Sequence, residues 1–334
     1  SGRVTQPMYL APGKSHYEPI DWEKAYAMIA DELKQCSPNE AVFYTSGRTS
    51  NEAAFLYQLL VRYYGTNNLP DCSNMCHESS GVGLGETIGI GKGTVTLEDI
   101  YDAEVVLVIG QNPGTNHPRM LSALQKCKQR GGKVVHINPL PAAGTTKFVD
   151  PQSPVEVLKG GTKIADYFLQ VKIGGDIALL KLLMHELMKA EQREPGSVFD
   201  HDFIHAQTTG CDGFLEELKK LDRTQALFDC GIEESLIIEV GHLLAKHKRI
   251  ISCWAMGLTQ HKHAVNNIRE VVNLHLLRGA VGIKGAGLCP VRGHSNVQGD
   301  RTMGIYEKPK PEFLDSLDKH FSIRSPREHG YDTV

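Results

Sequence analysis

The sequence contains no CxxC pair, although eight cysteines are spread along its 334 residues. Small secreted proteins are dense in cysteine because disulfides replace part of their core. A long chain with scattered cysteines instead favours reduced thiols, and we predict a cytoplasmic protein. Cys72 and Cys76 stand four residues apart with no matching second pair, which argues against a zinc ribbon.

Other absences narrow the function classes further. No apolar run is long enough to span a bilayer, and the first residues, SGRVTQPMYL, lack the pattern of a signal peptide. The 36 basic and 39 acidic residues nearly cancel, giving a formal net charge of -3. We therefore predict neither a nucleic-acid partner nor a membrane span.

The glycine-rich run GVGLGETIGIGKGT, residues 81–94, lacks the nucleotide-binding fingerprints it first suggests. A phosphate loop with GxxxxGK[ST] spacing would need glycine at position 86, where Glu86 stands, and a GxGxxG pattern also fails. A nicotinamide dehydrogenase is therefore disfavoured, and saturable NADH binding would be the observation that revives it. We predict that residues 81–94 form a flexible connector.

What the sequence does contain is an alternation of apolar strands and amphipathic helices. The hydrophobic fraction of 41% and charged fraction of 22% are those of a globular protein, and the length favours two domain-sized units. Strands are predicted at 41–47, 105–110, 133–138 and 249–257, and helices at 21–36, 48–65, 119–130, 177–190 and 234–247. Uniformly apolar strands between helices predict a doubly wound α/β fold with a parallel sheet that is covered on both faces, and more than one sheet in the chain.

Four polar turns follow predicted strands or apolar runs, at 46–52, 111–117, 138–139 and 255–260. Ligands of open α/β sheets bind outside the carboxyl ends of the strands. Asn, Pro, Gly and Thr also fill such turns for backbone reasons alone. Four such turns in one chain nevertheless favour a nucleotide-type ligand.

Two further segments carry candidate chemistry. In SNMCHESSG, Cys76 is either a buried structural thiol, a nucleophile or a metal ligand. A Cys–His nucleophile is disfavoured because His77 is adjacent, and neighbouring side chains on an extended chain point to opposite sides. In GAGLCPVRGHSNVQG, residues 285–299, a loop rich in glycine and amides carries Arg292, which is either a surface arginine or an anion-binding fork.

Taken together and in order, these motifs resemble the large catalytic subunit of molybdopterin-dependent oxidoreductases, in the formate dehydrogenase-like branch. The resemblance runs over nearly the whole chain and corresponds to the central portion of longer proteins. It implies two Rossmann-like domains of the formate dehydrogenase/DMSO reductase type. One would be discontinuous, formed by residues 1–72 and 292–334, and the other, residues 73–291, would be inserted into it.

The resemblance also implies a molybdenum bis(molybdopterin guanine dinucleotide) cofactor, with Cys76 as the protein ligand of the metal. His77 would accept a proton and Arg292 would orient an anionic substrate such as formate. The implied cofactor-binding residues are Ser46, Arg48, Asn51, Gly110, Asn112, Pro113, His117, Asn138, Gly257, Thr259, Gln260, Gly293, Asn296 and Gln298.

Several consequences follow from the resemblance. A 4Fe–4S cluster is expected in a region that this sequence does not include, together with an electron acceptor protein or subunit, so the isolated chain is expected to be inactive. The sequence departs from the formate enzymes at Glu78 and Ser79 and again at Asp300 and Arg301, which leaves the small-molecule substrate open. The alternative function is a non-catalytic nucleotide-binding or accessory module with the same fold.

Overall fold

A computed structural model describes residues 5–152 and 154–333 of the chain. The chain forms two compact units, residues 1–74 with 294–334, and residues 75–293. These breaks lie two residues from the predicted boundaries, and the division into separately folding domains stays a prediction. Residues 1–4, 153 and 334, which the predicted domain ranges include, lie outside the described residues.

Seven strands and seventeen helices are assigned in the described residues, together with a short 3₁₀ turn at Pro38–Glu40. The strands are β1 Met8–Tyr9, β2 Glu18–Pro19, β3 Val105–Ile109, β4 Lys133–Ile137, β5 Tyr167–Leu169, β6 Ile250–Trp254 and β7 Gly287–Pro290. The helices are α1 Trp22–Gln35, α2 Asn51–Tyr64, α3 Glu78–Ile88, α4 Leu97–Asp102, α5 Pro113–Asn116, α6 Pro118–Gln129, α7 Ala143–Thr146, α8 Pro154–Lys159, α9 Asp176–Arg193, α10 His201–Gln207, α11 Cys211–Lys219, α12 Arg223–Cys230, α13 Glu234–Lys246, α14 Met256–Thr259, α15 Ala264–Leu277, α16 Val297–Met303 and α17 Pro311–Phe321.

The larger unit is built on a parallel sheet with the strand order β5-β4-β3-β6-β7. All five residues of β3 are buried. Val105, Leu107 and Ile109 face one hydrophobic cluster, while Val106 and Val108 face another. Since successive side chains of a strand point to opposite faces, both faces of the sheet are covered. The predicted α/β fold with a parallel sheet is confirmed.

The smaller unit contains α1, α2, α16, α17 and the two-stranded antiparallel ladder of β1 and β2. The Asp21 side chain caps α1, and Gly65 ends α2 in the left-handed region with φ +111°, both as predicted. The strand predicted at 41–47 is wrong, because an isolated bridge between Thr45 and Asp71 is what forms there. Val42 and Tyr44 are half exposed, so the apolar run does not mark a buried strand.

Residues 81–94 do not form the predicted connector throughout, because the first part of the run belongs to α3. Leu84 is fully buried in the core, and α3 packs against α15. A Cβ on Gly83 would lie 2.9 Å from Ile268 of α15. Here tertiary packing overrides the low helix propensity of glycine.

The segment 285–299, predicted as a loop, contains strand β7 and the beginning of α16. β7 pairs with β6 in parallel register at the edge of the sheet. Strand β5, three residues long, was not predicted. Among the helices of the described residues, none is both long and apolar enough to cross a membrane.

Candidate functional site

The turns after β3 and β6 touch through two glycines at the carboxyl edge of the parallel sheet. Gly110 has φ +57°, and a Cβ placed on it would lie 2.7 Å from the Cα of Gly257. The Gly257 amide donates to the Gly110 carbonyl at 3.0 Å. Only glycine fits such a close approach of two backbones, so the geometry of the sheet edge requires glycine at both positions. Ligands of open α/β sheets bind at this edge.

Cys76 is buried and is held to this edge through its own backbone. The Thr259 hydroxyl donates to the Cys76 carbonyl at 2.5 Å, and the Gln260 side-chain amide donates to the Met75 carbonyl at 2.9 Å. The turn after β6 therefore fixes the position of the thiol, immediately before α3 begins at Glu78.

His77 is buried at the start of α3 with a hydrogen-bond partner for each ring nitrogen. Its Nδ1 lies 2.9 Å from the Ser80 hydroxyl, and that hydroxyl accepts from the indole N–H of Trp254 at 2.9 Å. Its Nε2 lies 3.1 Å from the carbonyl of Val291, which can only accept. The arrangement requires a proton on Nε2 and leaves Nδ1 as the acceptor of the Ser80 hydroxyl.

The environment of His77 opposes the charged imidazolium. Burial, and after it the positive charge of Arg292, lower the pKa of His77 to about 4. The hydrogen bond to Val291 works against that shift. The side chain is consequently a neutral imidazole at physiological pH.

Arg292 follows Val291 shortly after β7. It lies close enough to His77 for its positive charge to lower the pKa of that histidine. Its guanidinium donates to the Gly91 carbonyl at 3.2 Å, and its own carbonyl lies 3.0 Å from Nε2 of His117. The Val291 amide donates to the Trp254 carbonyl at 2.8 Å, which extends the β6–β7 pairing up to this point. The larger unit therefore brings the predicted site residues Cys76, His77, His117 and Arg292 to one edge of its sheet.

Two buried oxygens at this edge suit a ligand that donates hydrogen bonds. No donor among the described residues reaches Gln111 Oε1 or Asn112 Oδ1, which lie directly after β3. Buried polar atoms without partners are uncommon and point to a bound group. Pro113 is buried beside them at the start of α5, and Asn138 follows the neighbouring strand β4, where its amide donates to the Leu140 carbonyl.

Predicted site residues of the smaller unit form a second group. The Asn296 amide donates to the Thr49 carbonyl at 2.6 Å and to the Asn51 side-chain oxygen at 2.9 Å. The Ser46 carbonyl accepts from the Cys72 thiol at 3.4 Å. Arg48 and Gln298 are exposed, and so is Gly293 of the larger unit.

Sequence reasoning missed two residues that shape the environment of His77. Ser80 and Trp254 fix its tautomer. Gln111, which supplies one of the acceptors without a donor, lies in the predicted turn 111–117 but was not among the predicted site residues. Ser80 stands three residues after His77, the spacing of one helical turn, which was a usable signal. Trp254 gave no such signal, because its contact with Ser80 spans 174 positions.

A metal bound at Cys76 would need ligands from elsewhere. In the described part of the chain, no group of three or more His, Cys, Asp or Glu side chains could hold a metal ion. A single buried thiolate is a soft ligand and suits a metal whose remaining ligands are supplied by an organic cofactor. The residues present fit a metal–pterin group in this respect, and the acceptors of Gln111 and Asn112 fit the N–H and O–H donors of a nucleotide.

One known protein family matches most of the chain. A family model described as molybdopterin oxidoreductase matches residues 3–313. The chain belongs to the molybdopterin oxidoreductase family. Family membership implies a molybdenum–pterin cofactor.

Individual relatives show how much of a molybdopterin oxidoreductase this chain represents. An uncharacterized oxidoreductase of Mycobacterium tuberculosis is 55% identical over the whole chain, which covers 43% of that relative. The F420-dependent formate dehydrogenase subunit alpha of Methanocaldococcus jannaschii is 29% identical over 93% of the chain, which covers 42% of that subunit. The chain thus spans less than half the length of these relatives.

One solved structure shares the fold. Acetylene hydratase from Pelobacter acetylenicus aligns with a TM-score of 0.67 at 17% sequence identity. The alignment covers 86% of this chain and 37% of the hydratase chain. At this identity the similarity speaks for the fold alone.

Proposed function

We propose that this chain is the central part of a formate dehydrogenase-like oxidoreductase. It would carry out a two-electron oxidation or reduction of a small, anionic substrate at a molybdenum centre. The observation that carries the proposal is the placement of Cys76, His77 and Arg292 at the carboxyl edge of one parallel sheet, in a chain of the molybdopterin oxidoreductase family. The formate dehydrogenase alpha subunit among its relatives supports the substrate class.

In this proposal Cys76 is the protein ligand of the metal. The bound group would exchange two electrons with the substrate, and the protein would supply position and electrostatics. Thr259 and Gln260 donate hydrogen bonds to the carbonyls of Cys76 and Met75, so the backbone that carries the thiol is held in place. We further propose that the group is the bis(molybdopterin guanine dinucleotide) form, and that Gln111 and Asn112 accept hydrogen bonds from one nucleotide.

The other two residues act on the substrate. Arg292 would orient an anionic substrate through its guanidinium. His77 would take up a proton at Nδ1, which requires the Ser80 hydroxyl to turn away from that nitrogen. Because its pKa is about 4, a proton accepted there is released again at neutral pH.

The remaining parts of the proposal concern the longer protein. A 4Fe–4S cluster outside these residues would pass electrons to an acceptor protein or subunit, in the cytoplasm. Residues 1–72 with 292–334 would form the discontinuous domain around the inserted domain 73–291. The exposed residues Arg48, Gly293 and Gln298 would join Ser46, Asn51 and Asn296 in contacting the dinucleotides.

The test is a metal and pterin analysis of the full-length protein, produced in cells that make the cofactor. We expect molybdenum or tungsten together with the fluorescence of a released pterin. A protein that contains neither would contradict the proposal and favour the alternative of a non-catalytic module that keeps the fold. A Cys76→Ser variant, made in parallel, is expected to retain less metal than the wild type.

A further inference from the structure

Two cysteines stand side by side on neighbouring strands, close to the site described above but with no role in it. Cys253 of β6 and Cys289 of β7 are paired in the register of the parallel sheet. Registered neighbours in a sheet point their side chains to the same face, about 5 Å apart at the backbone. Disulfides span Cα–Cα distances of roughly 4.4 to 6.8 Å, so this pair lies within bonding range.

The two thiols differ in their access to solvent. Cys253 is completely buried, whereas Cys289 is partly exposed. Cys289 also lines an open cavity of about 430 Å³, together with Tyr101, His117, Arg119 and Lys126. Most of its lining is apolar, and its two charged side chains, Arg119 and Lys126, are both basic. An oxidant can therefore reach Cys289 but not Cys253.

The hydrogen bond between the two thiols favours loss of the proton from the same residue. A hydrogen bond from the Cys253 thiol lowers the pKa of Cys289, and the same bond, with burial, raises the pKa of Cys253. The thiolate is the reactive form of cysteine, so the accessible member of the pair is also the more nucleophilic one. A third thiol nearby, Cys127, is kept protonated because burial raises its pKa to about 11.

We propose that Cys253 and Cys289 form an oxidisable dithiol site, which hydroperoxides convert to an intramolecular disulfide. The Cys289 thiolate attacks the peroxide, the O–O bond breaks, and Cys289 becomes a sulfenic acid. The Cys253 sulfur then attacks the Cys289 sulfur, the S–S bond forms and water leaves. In total, two thiols and one hydrogen peroxide give one disulfide and two waters.

The two cysteines lie close in sequence to residues at the carboxyl edge of the sheet. Cys253 directly precedes Trp254, and Cys289 stands two residues before Val291. The Val291 amide donates to the Trp254 carbonyl, and the Val291 carbonyl faces His77. A cross-link between β6 and β7 would form next to these contacts. The proposal itself rests on the thiols and does not depend on the proposed function.

The experiment uses the reduced full-length protein, treated with hydrogen peroxide, alkylated under denaturing conditions and digested for mass spectrometry. We expect Cys253 and Cys289 to lose their alkylation together and to appear as one cross-linked peptide pair. In Cys253→Ser, Cys289 should be trapped as a sulfenic acid by dimedone. In Cys289→Ser, Cys253 should stay fully alkylatable, and Cys127→Ser should leave the cross-link unchanged.

Two results obtained with the wild-type protein would overturn the proposal. Neither depends on how well a variant folds. One is oxidation of exposed Cys36 while Cys289 stays alkylatable. The other is oxidation of Cys289 with Cys253 still alkylated in full.

Discussion

At the scale of single residues, the clearest constraint falls on His77. Ser80 and Trp254 form a chain of hydrogen bonds to one ring nitrogen, and Val291 binds the other. The resemblance predicted that His77 lies beside a metal ligand, which stays a prediction, while its tautomer and low pKa depend on residues from distant parts of the chain. These properties could not be predicted from the neighbouring residues alone.

Replacing Ser80 with alanine should destabilise the larger unit. The substitution removes the acceptor of the buried Trp254 N–H and the donor to His77, and a buried polar group left unpaired costs about 1–3 kcal/mol. The matched control is Ser79→Ala, whose partly buried hydroxyl makes a longer bond of 3.3 Å to the Thr259 carbonyl.

Denaturant unfolding followed by tryptophan fluorescence measures this difference. A Trp22→Phe background leaves Trp254 as the single tryptophan of these 334 residues. We expect a loss of about 1–3 kcal/mol for Ser80→Ala and a clearly smaller loss for Ser79→Ala. Equal losses in the two variants would contradict the hydrogen-bond chain.

Asp300 makes the stability of the smaller unit depend on pH. Burial, and the nearby charge of Asp71, raise its pKa from 3.8 to about 6. Below pH 3.8 the carboxyl is protonated in both the folded and the unfolded chain. As the pH rises towards 6, the unfolded chain ionises first, so the folded state loses stability relative to it.

Asp300→Asn should remove this dependence. Relative to the wild type, the variant should gain in melting temperature as the pH is raised from about 4 to about 7, over the interval between the two pKa values. The control is Asp31→Asn, because Asp31 is an exposed carboxylate on α1. A constant difference between Asp300→Asn and the wild type across the pH range would show that Asp300 does not titrate in this interval.

At the scale of secondary structure, helix ends were well predicted because capping is local. Asp21 before α1, Gly65 after α2 and Pro118 at the start of α6 all mark their boundaries in the sequence. The errors at 41–47, 81–94 and 285–299 have a common origin. A strand needs a partner and a glycine-rich helix needs a packing surface, and neither is visible in a short stretch of sequence.

Helix α3 allows a direct test of this explanation. In Gly83→Ala, the new methyl group meets Ile268 at 2.9 Å, and overpacking of this kind costs about 1–3 kcal/mol. In Gly85→Ala, no described atom outside the adjoining residues and the helix's own backbone lies within 4 Å of the new methyl group, so the helix gains about 0.5–1 kcal/mol.

The two substitutions should therefore change the melting temperature in opposite directions. Circular dichroism at 222 nm, followed during heating, checks both. A stabilising Gly83→Ala would mean that α3 and α15 do not pack as closely as described.

At the scale of the whole molecule, the alternation of strands and helices predicted the sheet, and the ordered motifs identified the family. What neither predicted is the register that places Cys253 beside Cys289, since register depends on the pairing of distant strands. The chain covers less than half the length of the relatives named above.

The most direct test of the central claim is X-ray absorption at the metal edge of the full-length protein, comparing wild type with Cys76→Ser. The claim predicts molybdenum or tungsten surrounded by sulfur, with one fewer sulfur neighbour in the variant. A sulfur shell that is identical in the two proteins would contradict the assignment of Cys76 as the ligand.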